Sequence, residues 1–104
     1  MFEEEHVPWA AYGTFSNFHI FTNPDRGAIT PTRFDPKAVP TEAFFDKRQA
    51  GLVHKFRLAT MTHGIDFSGS PGGITSAAHG EAELEDTVTA LRKSIRMLKQ
   101  EGEI

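Results

Sequence analysis

Five histidines are the first side chains in the sequence that could do chemistry, because imidazole binds metal ions and exchanges protons near neutral pH. They are His6, His19, His54, His63 and His79. None of them makes the i, i+4 pair of a helical metal site, and the two that fall on one predicted helix are nine residues apart. The spacing therefore favours histidines at the surface or at helix ends over a metal centre.

A glycine-rich segment, residues 68–73, is the second candidate, because its backbone N–H groups could surround a phosphate. It lacks the Lys-Ser or Lys-Thr pair of a P-loop. The element predicted after it is a strand, whereas phosphate loops and dinucleotide-binding loops lead into a helix. On its own the segment therefore indicates a tight turn, with contact to a ligand as the less favoured alternative.

A serine hydrolase is the third possibility, since Ser76 and His79 are close in sequence. However, no serine occupies the Gly-x-Ser-x-Gly turn that exposes such a nucleophile between a strand and a helix. A basic cluster near the end of the chain comprises Arg92, Lys93, Arg96 and Lys99. Cations in this position are typical of the last turns of a helix rather than of a nucleic-acid patch.

The composition excludes several further classes of protein. The chain has 104 residues, no cysteine and a formal net charge of -3, so thiolate metal sites, disulfides and cysteine nucleophiles are excluded. The mild acidity argues against nucleic-acid partners. No segment reaches the ~18–20 apolar residues of a membrane span, and the acidic start is unlike a secretory or mitochondrial signal. We therefore expect one cytoplasmic domain, residues 1–104, without a membrane partner.

The first part of the chain predicts a strand and then a long loop. Residues 11–22 are rich in Phe, Thr and Ile, which favours a strand. Apolar residues occur at both odd and even positions of this segment, and alternate residues of a strand point to opposite faces. We therefore expect both faces of the sheet to be partly covered. Residues 23–40 contain five Pro or Gly residues, which preclude a regular element and predict a functional or mobile loop.

The middle of the chain predicts a helix over 41–63, with Thr41 as N-cap and Gly64 just past the end. Its apolar face comprises Phe45, Leu52, Phe56 and Ala59. Gly51 in the interior predicts a close packing contact, because glycine otherwise weakens a helix. Residues 64–78 predict two short strands, 65–67 and 74–78, that pair around the glycine-rich segment as a hairpin.

The last element is a predicted helix over 81–100, with Gly80 as N-cap and acidic residues in its first turn. An apolar stripe recurs at helical spacing and comprises Leu84, Val88, Leu91, Ile95 and Leu98. The order of elements predicts an α+β fold, with about three antiparallel strands and two main helices on one face of the sheet.

Two segments resemble class III aminotransferases, which use pyridoxal 5′-phosphate (PLP), and especially members similar to glutamate-1-semialdehyde 2,1-aminomutase. Residues 63–79 contain Gly-Ile-Asp-Phe, a glycine-rich loop and Ser-Ala-Ala-His before an acidic helix start. The family typically shows Gly-Val-Asp-Leu, a similar loop and Ser-Ala-Ala-His-Thr. Residues 13–20, Gly-Thr-Phe-Ser-Asn-Phe-His-Ile, are similar to the family strand Gly-Ser-Met-Phe-Asn-Ile-His-Phe. Together they extend the resemblance over the chain from Trp9 onward.

The resemblance implies that the chain corresponds to the small C-terminal domain of a fold-type I PLP enzyme. In such enzymes a large domain supplies the cofactor lysine and the Asp that faces the pyridine nitrogen. The lysines of this chain are Lys37, Lys47, Lys55, Lys93 and Lys99. None matches the position of the cofactor lysine, so the resemblance implies no cofactor-binding or catalytic residue in this chain and no catalysis by the chain alone.

The resemblance also implies a site and partners. It places Ser70, Pro71, Gly72 and Gly73 at the rim of the substrate pocket, and it implies two partners, a large PLP-binding domain and a second copy of the chain. We expect exposed apolar residues such as Trp9, Phe15 and Phe21 to form a face left bare without that domain. Whether the complete enzyme is an aminotransferase or an aminomutase stays open. The alternative is a stand-alone α+β module that binds a small ligand or serves assembly.

Overall fold

The computed structural model describes residues 1–13, 16–24, 27, 29–31, 34–40, 49–67, 72–76 and 78–104. In these residues an antiparallel sheet has the strand order β1-β2-β3. The strands are β1 (Ala10–Tyr12), β2 (Asn17–Phe21) and β3 (Gly72–Ile74). The helices are α1 (Ala50–Thr62) and α2 (Glu81–Gln100), and a short 3-10 turn spans Pro36–Ala38. The predicted α+β class, with a three-stranded antiparallel sheet and two main helices, is confirmed.

The predicted strand over 11–22 is wrong as a single element, because the chain folds back on itself there. β1 and β2 pair antiparallel as a hairpin, with Tyr12 opposite His19. Gly13 lies where the hairpin turns, and a Cβ atom on it would lie 2.2 Å from the Asn17 carbonyl oxygen. Only glycine allows this close approach of two backbone segments, so Gly13 was a turn signal inside the apparent strand.

The predicted hairpin of 65–67 with 74–78 is also wrong. Residues 65–67 form no strand; instead Phe67 is buried, and its ring lies between Phe18 and Phe56, with centroid distances of 5.9 Å and 6.1 Å. β3 pairs with β2 rather than with 65–67. Burial of the Phe67 ring in the core therefore takes precedence over local strand pairing.

The predicted helix over 41–63 is confirmed at its C-terminal end. α1 ends at Thr62, and Gly64 has φ of +90°, the left-handed conformation that favours glycine after a helix. Residues 41–48, with the predicted cap Thr41 and Phe45, lie outside the described residues. The predicted close contact at Gly51 is wrong, since nothing lies within 4 Å of a Cβ atom built there.

The bounds of α2 are the predicted ones, 81–100. At its start the Gly80 N–H donates a hydrogen bond to the Glu83 carboxylate at 2.8 Å, which satisfies one of the free N–H groups of the first turn. The predicted stripe is buried only in its C-terminal part, because Leu84 is 63% exposed while Ile95 is fully buried. The first turns of α2 therefore extend beyond the core.

The hydrophobic core lies between the two helices, β2 and the N-terminal segment. Its buried members are Phe2, Val7, Trp9, Ile20, Phe56, Phe67, Leu91, Ile95 and Leu98. On the other face of the sheet, the Phe34 ring stacks on Phe21 at 5.2 Å. Both faces of the sheet are thus covered in part, as predicted from the mixed parity of the apolar residues.

The expected exposure of Trp9 and Phe21 is wrong, since they are only 3% and 4% exposed; Phe15 lies outside the described residues. Large apolar side chains that are exposed include Leu58, Met61, Ile74 and Leu84. Within the described part of the chain, neither helix is long and apolar enough to cross a membrane.

Candidate functional site

The predicted rim residues that the structure describes lie in β3. Gly72 and Gly73 belong to this strand, where they lie opposite His19 and Phe18 of β2. Ser70 and Pro71 lie outside the described residues. A Cβ atom on Gly72 would lie 2.2 Å from the Phe18 carbonyl oxygen, so β3 can lie at this position only with glycine there. Gly72 is therefore required for the pairing of β3 with β2.

A pair of aromatic side chains lies beside Gly72 on the face of the sheet that points away from the helices. Residues opposite one another in register share a face, so Tyr12, His19 and Gly72 lie side by side. The Tyr12 and His19 rings are stacked, with 5.3 Å between centroids and 30° between planes. Phe34 adds a tilted contact to Tyr12 at 6.0 Å.

The aromatic group of Tyr12, His19 and Phe34 has both apolar ring faces and polar atoms. Burial raises the pKa of the Tyr12 phenol above its ordinary value, so the hydroxyl keeps its proton at neutral pH. The His19 side chain is exposed and has nitrogen atoms that can donate or accept hydrogen bonds. The group therefore combines aromatic ring faces with side-chain atoms that can form hydrogen bonds.

The importance of Tyr12 and His19 was missed by the sequence analysis. His19 was interpreted as an ordinary surface histidine, and Tyr12 was not singled out. Recognising the hairpin turn at Gly13 would have placed the two rings opposite each other, because cross-strand partners lie on the same face. The signal was therefore present in the sequence, in the Tyr-Gly dipeptide within an otherwise continuous strand pattern.

Ser76 and His79 do not form a nucleophile and its base. The Ser76 backbone N–H donates to Nδ1 of His79 at 2.9 Å, so the imidazole is held by the main chain. The Ser76 hydroxyl in turn accepts a hydrogen bond from the Ala78 N–H at 3.3 Å. These contacts shape the turn that leads into α2 and leave no hydroxyl-to-imidazole contact of the kind that activates a serine.

Two other histidines have positions that agree with the sequence interpretation. His63 follows the last residue of α1, and its Nδ1 lies 2.8 Å from the Ala59 carbonyl oxygen, a helix-end contact. His54 is exposed on α1. Among the residues that the structure describes, no three His, Asp or Glu side chains come together as metal ligands would.

The described lysines do not fit a PLP site. Lys55 pairs with Glu103 at 2.5 Å on the surface, and Lys99 donates to the Glu5 carbonyl oxygen. Lys37 and Lys93 are exposed, and Lys47 lies outside the described residues. A lysine that forms a Schiff base needs a desolvated pocket that lowers its pKa. The four described lysines are all exposed at the surface.

A concave region lies at the N-terminal segment. It is an open cavity of about 310 Å³, with Glu3, His6 and Thr30 among its lining residues. The His6 backbone has φ of +55°, a left-handed conformation that is unusual for a residue other than glycine. None of the lining residues belongs to β2 or β3, so this cavity is separate from the aromatic group on the sheet.

The residues that carry the family resemblance come together in the structure. The segment 13–20 includes all of β2 except Phe21, and the segment 63–79 contains β3. The two strands are hydrogen-bonded neighbours. Thr75 extends their pairing, since its N–H donates to the Ser16 carbonyl oxygen at 2.7 Å. Comparison of the chain with protein-family models and with curated proteins finds no match.

Proposed function

We propose that the chain is the small C-terminal domain of a class III PLP-dependent aminotransferase or aminomutase. In that enzyme it would form one wall of the substrate pocket and part of the dimer. The observation that carries the proposal is the pairing of β2 with β3. Two segments that resemble the family are far apart in the chain, and they are adjacent in the fold.

The geometry of the pair supports a role in forming a pocket wall. β3 presents Gly72 without a side chain beside the stacked Tyr12 and His19 rings. Glycine in a strand often marks a place where a ligand or another backbone approaches closely. Gly72 itself is buried against β2, so on this face the Tyr12 and His19 side chains are the groups that would contact a substrate.

The proposal assigns the reaction chemistry to a partner domain. The described lysines of this chain are exposed or paired on the surface, as described above. The cofactor and its lysine would come from the large domain, and the residues of this chain would position the substrate. In isolation the chain would be inactive, and in the proposed enzyme a change at β3 would alter substrate turnover without removing the cofactor.

A hybrid enzyme tests the proposal. The small domain of a class III aminotransferase is replaced by residues 1–104 of this chain, and cofactor absorbance and transamination are measured. The expected result is an active hybrid that loses about 10²-fold in rate with Gly72→Val, because small displacements in a site have effects of that size. The matched control is Gly51→Ala on α1, where a Cβ atom meets open space.

Two results would contradict the proposal. One is a folded hybrid that binds PLP and yet transaminates equally well with Gly72→Val and with Gly51→Ala. The other is a DNA sequence upstream of the Met1 codon that contains a promoter and no reading frame for a large domain. An upstream frame with a cofactor lysine would support the proposal.

The alternative function, a stand-alone module that binds a small ligand, is favoured by the aromatic group of Tyr12, His19 and Phe34. The isolated chain distinguishes the two. A stand-alone module would bind small aromatic or polar molecules with shifts of the Tyr12 and His19 ring resonances, and the Tyr12→Ala variant would lose the binding. A domain that needs its partner would show no such binding and would self-associate.

A further inference from the structure

The N-terminal segment, residues 1–9, covers the buried part of the α2 stripe. Its Phe2, Val7 and Trp9 side chains are at most 8% exposed and belong to the same core cluster as Leu91 and Ile95. Trp9 contacts the Phe56 ring edge to face, with 5.2 Å between centroids. The segment therefore completes the core from outside the sheet and the two helices.

The backbone of this segment is self-contained. The Glu5 N–H donates to the Met1 carbonyl oxygen and the Val7 N–H to the Phe2 carbonyl oxygen, both at 3.0 Å, and a third bond joins His6 to Glu3. These bonds close a local turn rather than joining the segment to a strand or helix. The segment could thus separate from the domain without breaking any of these three bonds.

Charged groups join the segment to α2. The Arg96 guanidinium donates to both oxygens of the Glu5 carboxylate, at 2.9 Å and 3.0 Å. Arg92 lies 3.6 Å from the same carboxylate and donates to Glu4 at 2.7 Å. Lys99 donates to the Glu5 carbonyl oxygen. All three cations come from α2, and the Glu5 side chain is only 10% exposed.

The charge of Glu5 should stabilise the contact between the N-terminal segment and α2 more than the charge of Glu4 does. Glu5 accepts both hydrogen bonds from Arg96 in a nearly buried position, whereas the Glu4 side chain is 66% exposed. A carboxylate that accepts two hydrogen bonds from one guanidinium is held more firmly than one in a single exposed contact, although the Arg96 side chain itself is 63% exposed. Loss of the Glu5 charge would leave Arg96 and Arg92 facing a neutral group at the contact.

We propose that residues 1–9 form a strap that opens as a unit and that the charge of Glu5 keeps it closed. In the closed state the strap covers Leu91, Ile95 and Leu98 of α2, and in the open state it exposes them together with Trp9. The strap thus covers this stripe, and the hydrogen bonds of α1, α2 and the sheet stay intact when it opens. This inference is independent of the proposed function.

The pH dependence follows from the same contacts. The hydrogen bonds from Arg96, with the charges of Arg96, Arg92 and Lys99, hold the pKa of Glu5 below its ordinary value. A carboxyl group whose pKa is lowered in the folded state stabilises that state above the ordinary carboxyl pKa and loses this contribution as the pH falls through the lowered value. Acid should therefore open the strap.

Fluorescence of Trp9, the only tryptophan, tests the proposal in the full chain. Quenching by acrylamide should rise several-fold in Glu5→Gln at neutral pH, with an unchanged helical circular dichroism signal. The matched control Glu4→Gln should behave like the wild type. The wild type should show the same rise only at a pH below the range in which ordinary carboxyl groups titrate, because the pKa of Glu5 is lowered.

Two outcomes would overturn the proposal. If Trp9 stays protected in Glu5→Gln, the carboxylate charge does not keep the strap closed. If helical signal and Trp9 protection are lost together, the strap is not a separate unit.

Discussion

The two faces of the sheet differ in how completely they are covered. On the helix side Phe18 and Ile20 point into a core where Phe56 and Ile95 are at most 1% exposed. On the far side the Phe34 ring covers Phe21, whereas Ile74 of β3 is 73% exposed. We infer that the helix side supplies most of the stability.

The largest expected effect is on the helix side. Phe56→Ala removes a ring that contacts both Trp9 and Phe67, and the transfer and cavity terms together should lower the free energy of unfolding by about 3–5 kcal/mol. Urea denaturation measures this change. The control is Phe34→Ala on the far side, which should have a smaller effect because Phe34 is only half-buried. An equal effect would show that the far side belongs to the same core.

The second prediction concerns β3, the strand that pairs with β2 at one edge of the sheet. Gly72→Ala places a Cβ atom 2.2 Å from the Phe18 carbonyl oxygen, so β3 must move away from β2. The free energy of unfolding should fall by about 1–3 kcal/mol, as in other overpacked sites, and NMR contacts between His19 and Gly72 should weaken. Unchanged contacts across the β2–β3 pair would contradict the described close approach.

The third prediction is an increase in the free energy of unfolding. Gly51→Ala on α1 meets no atom within 4 Å, and alanine favours a helix interior over glycine by about 0.5–1 kcal/mol. The free energy of unfolding should rise by that amount. A loss of stability in urea denaturation would mean that Gly51 packs closely, as the sequence first suggested. Comparison with Gly72→Ala separates glycines that are needed for space from those that are not.

The smallest effect on stability is expected for exposed apolar residues. Ile74→Ser on the far side and Leu58→Ser on the outer face of α1 should each change the free energy of unfolding by less than about 0.5 kcal/mol. We expect the isolated chain to self-associate through the far side, so Ile74→Ser should weaken association in sedimentation experiments and Leu58→Ser should not. The reverse result would place the association surface on α1.

The helices were the part of the fold that local sequence could predict best. The bounds of α2, its cap at Gly80 and the end of α1 before Gly64 all agree with the structure, because period and caps are local properties of a helix. The strands were predicted less well. Whether 65–67 pairs with a neighbour depends on where the Phe67 ring is buried, and this is decided by residues far away in the chain.

The candidate site shows the same division. The glycine-rich segment was predicted as a tight turn, whereas Gly72 and Gly73 form part of β3 and pair with β2; the pocket rim that the resemblance implied stays a prediction. The aromatic group of Tyr12 and His19 was not predicted, since it depends on the hairpin turn at Gly13 and on strand register. Register shifts of one residue move side chains to the opposite face, so a site built across strands is hard to predict from either strand alone.

The sequence by itself determined the α+β class, the helix ends and the absence of cysteine chemistry, because these follow from composition and from short-range patterns. Only the tertiary structure decided that β3 pairs with β2, that Trp9 is buried, and that Glu5 lies against Arg96. Each of these contacts joins residues far apart in the chain. Such contacts form only where the whole fold compensates for the entropy that each of them loses.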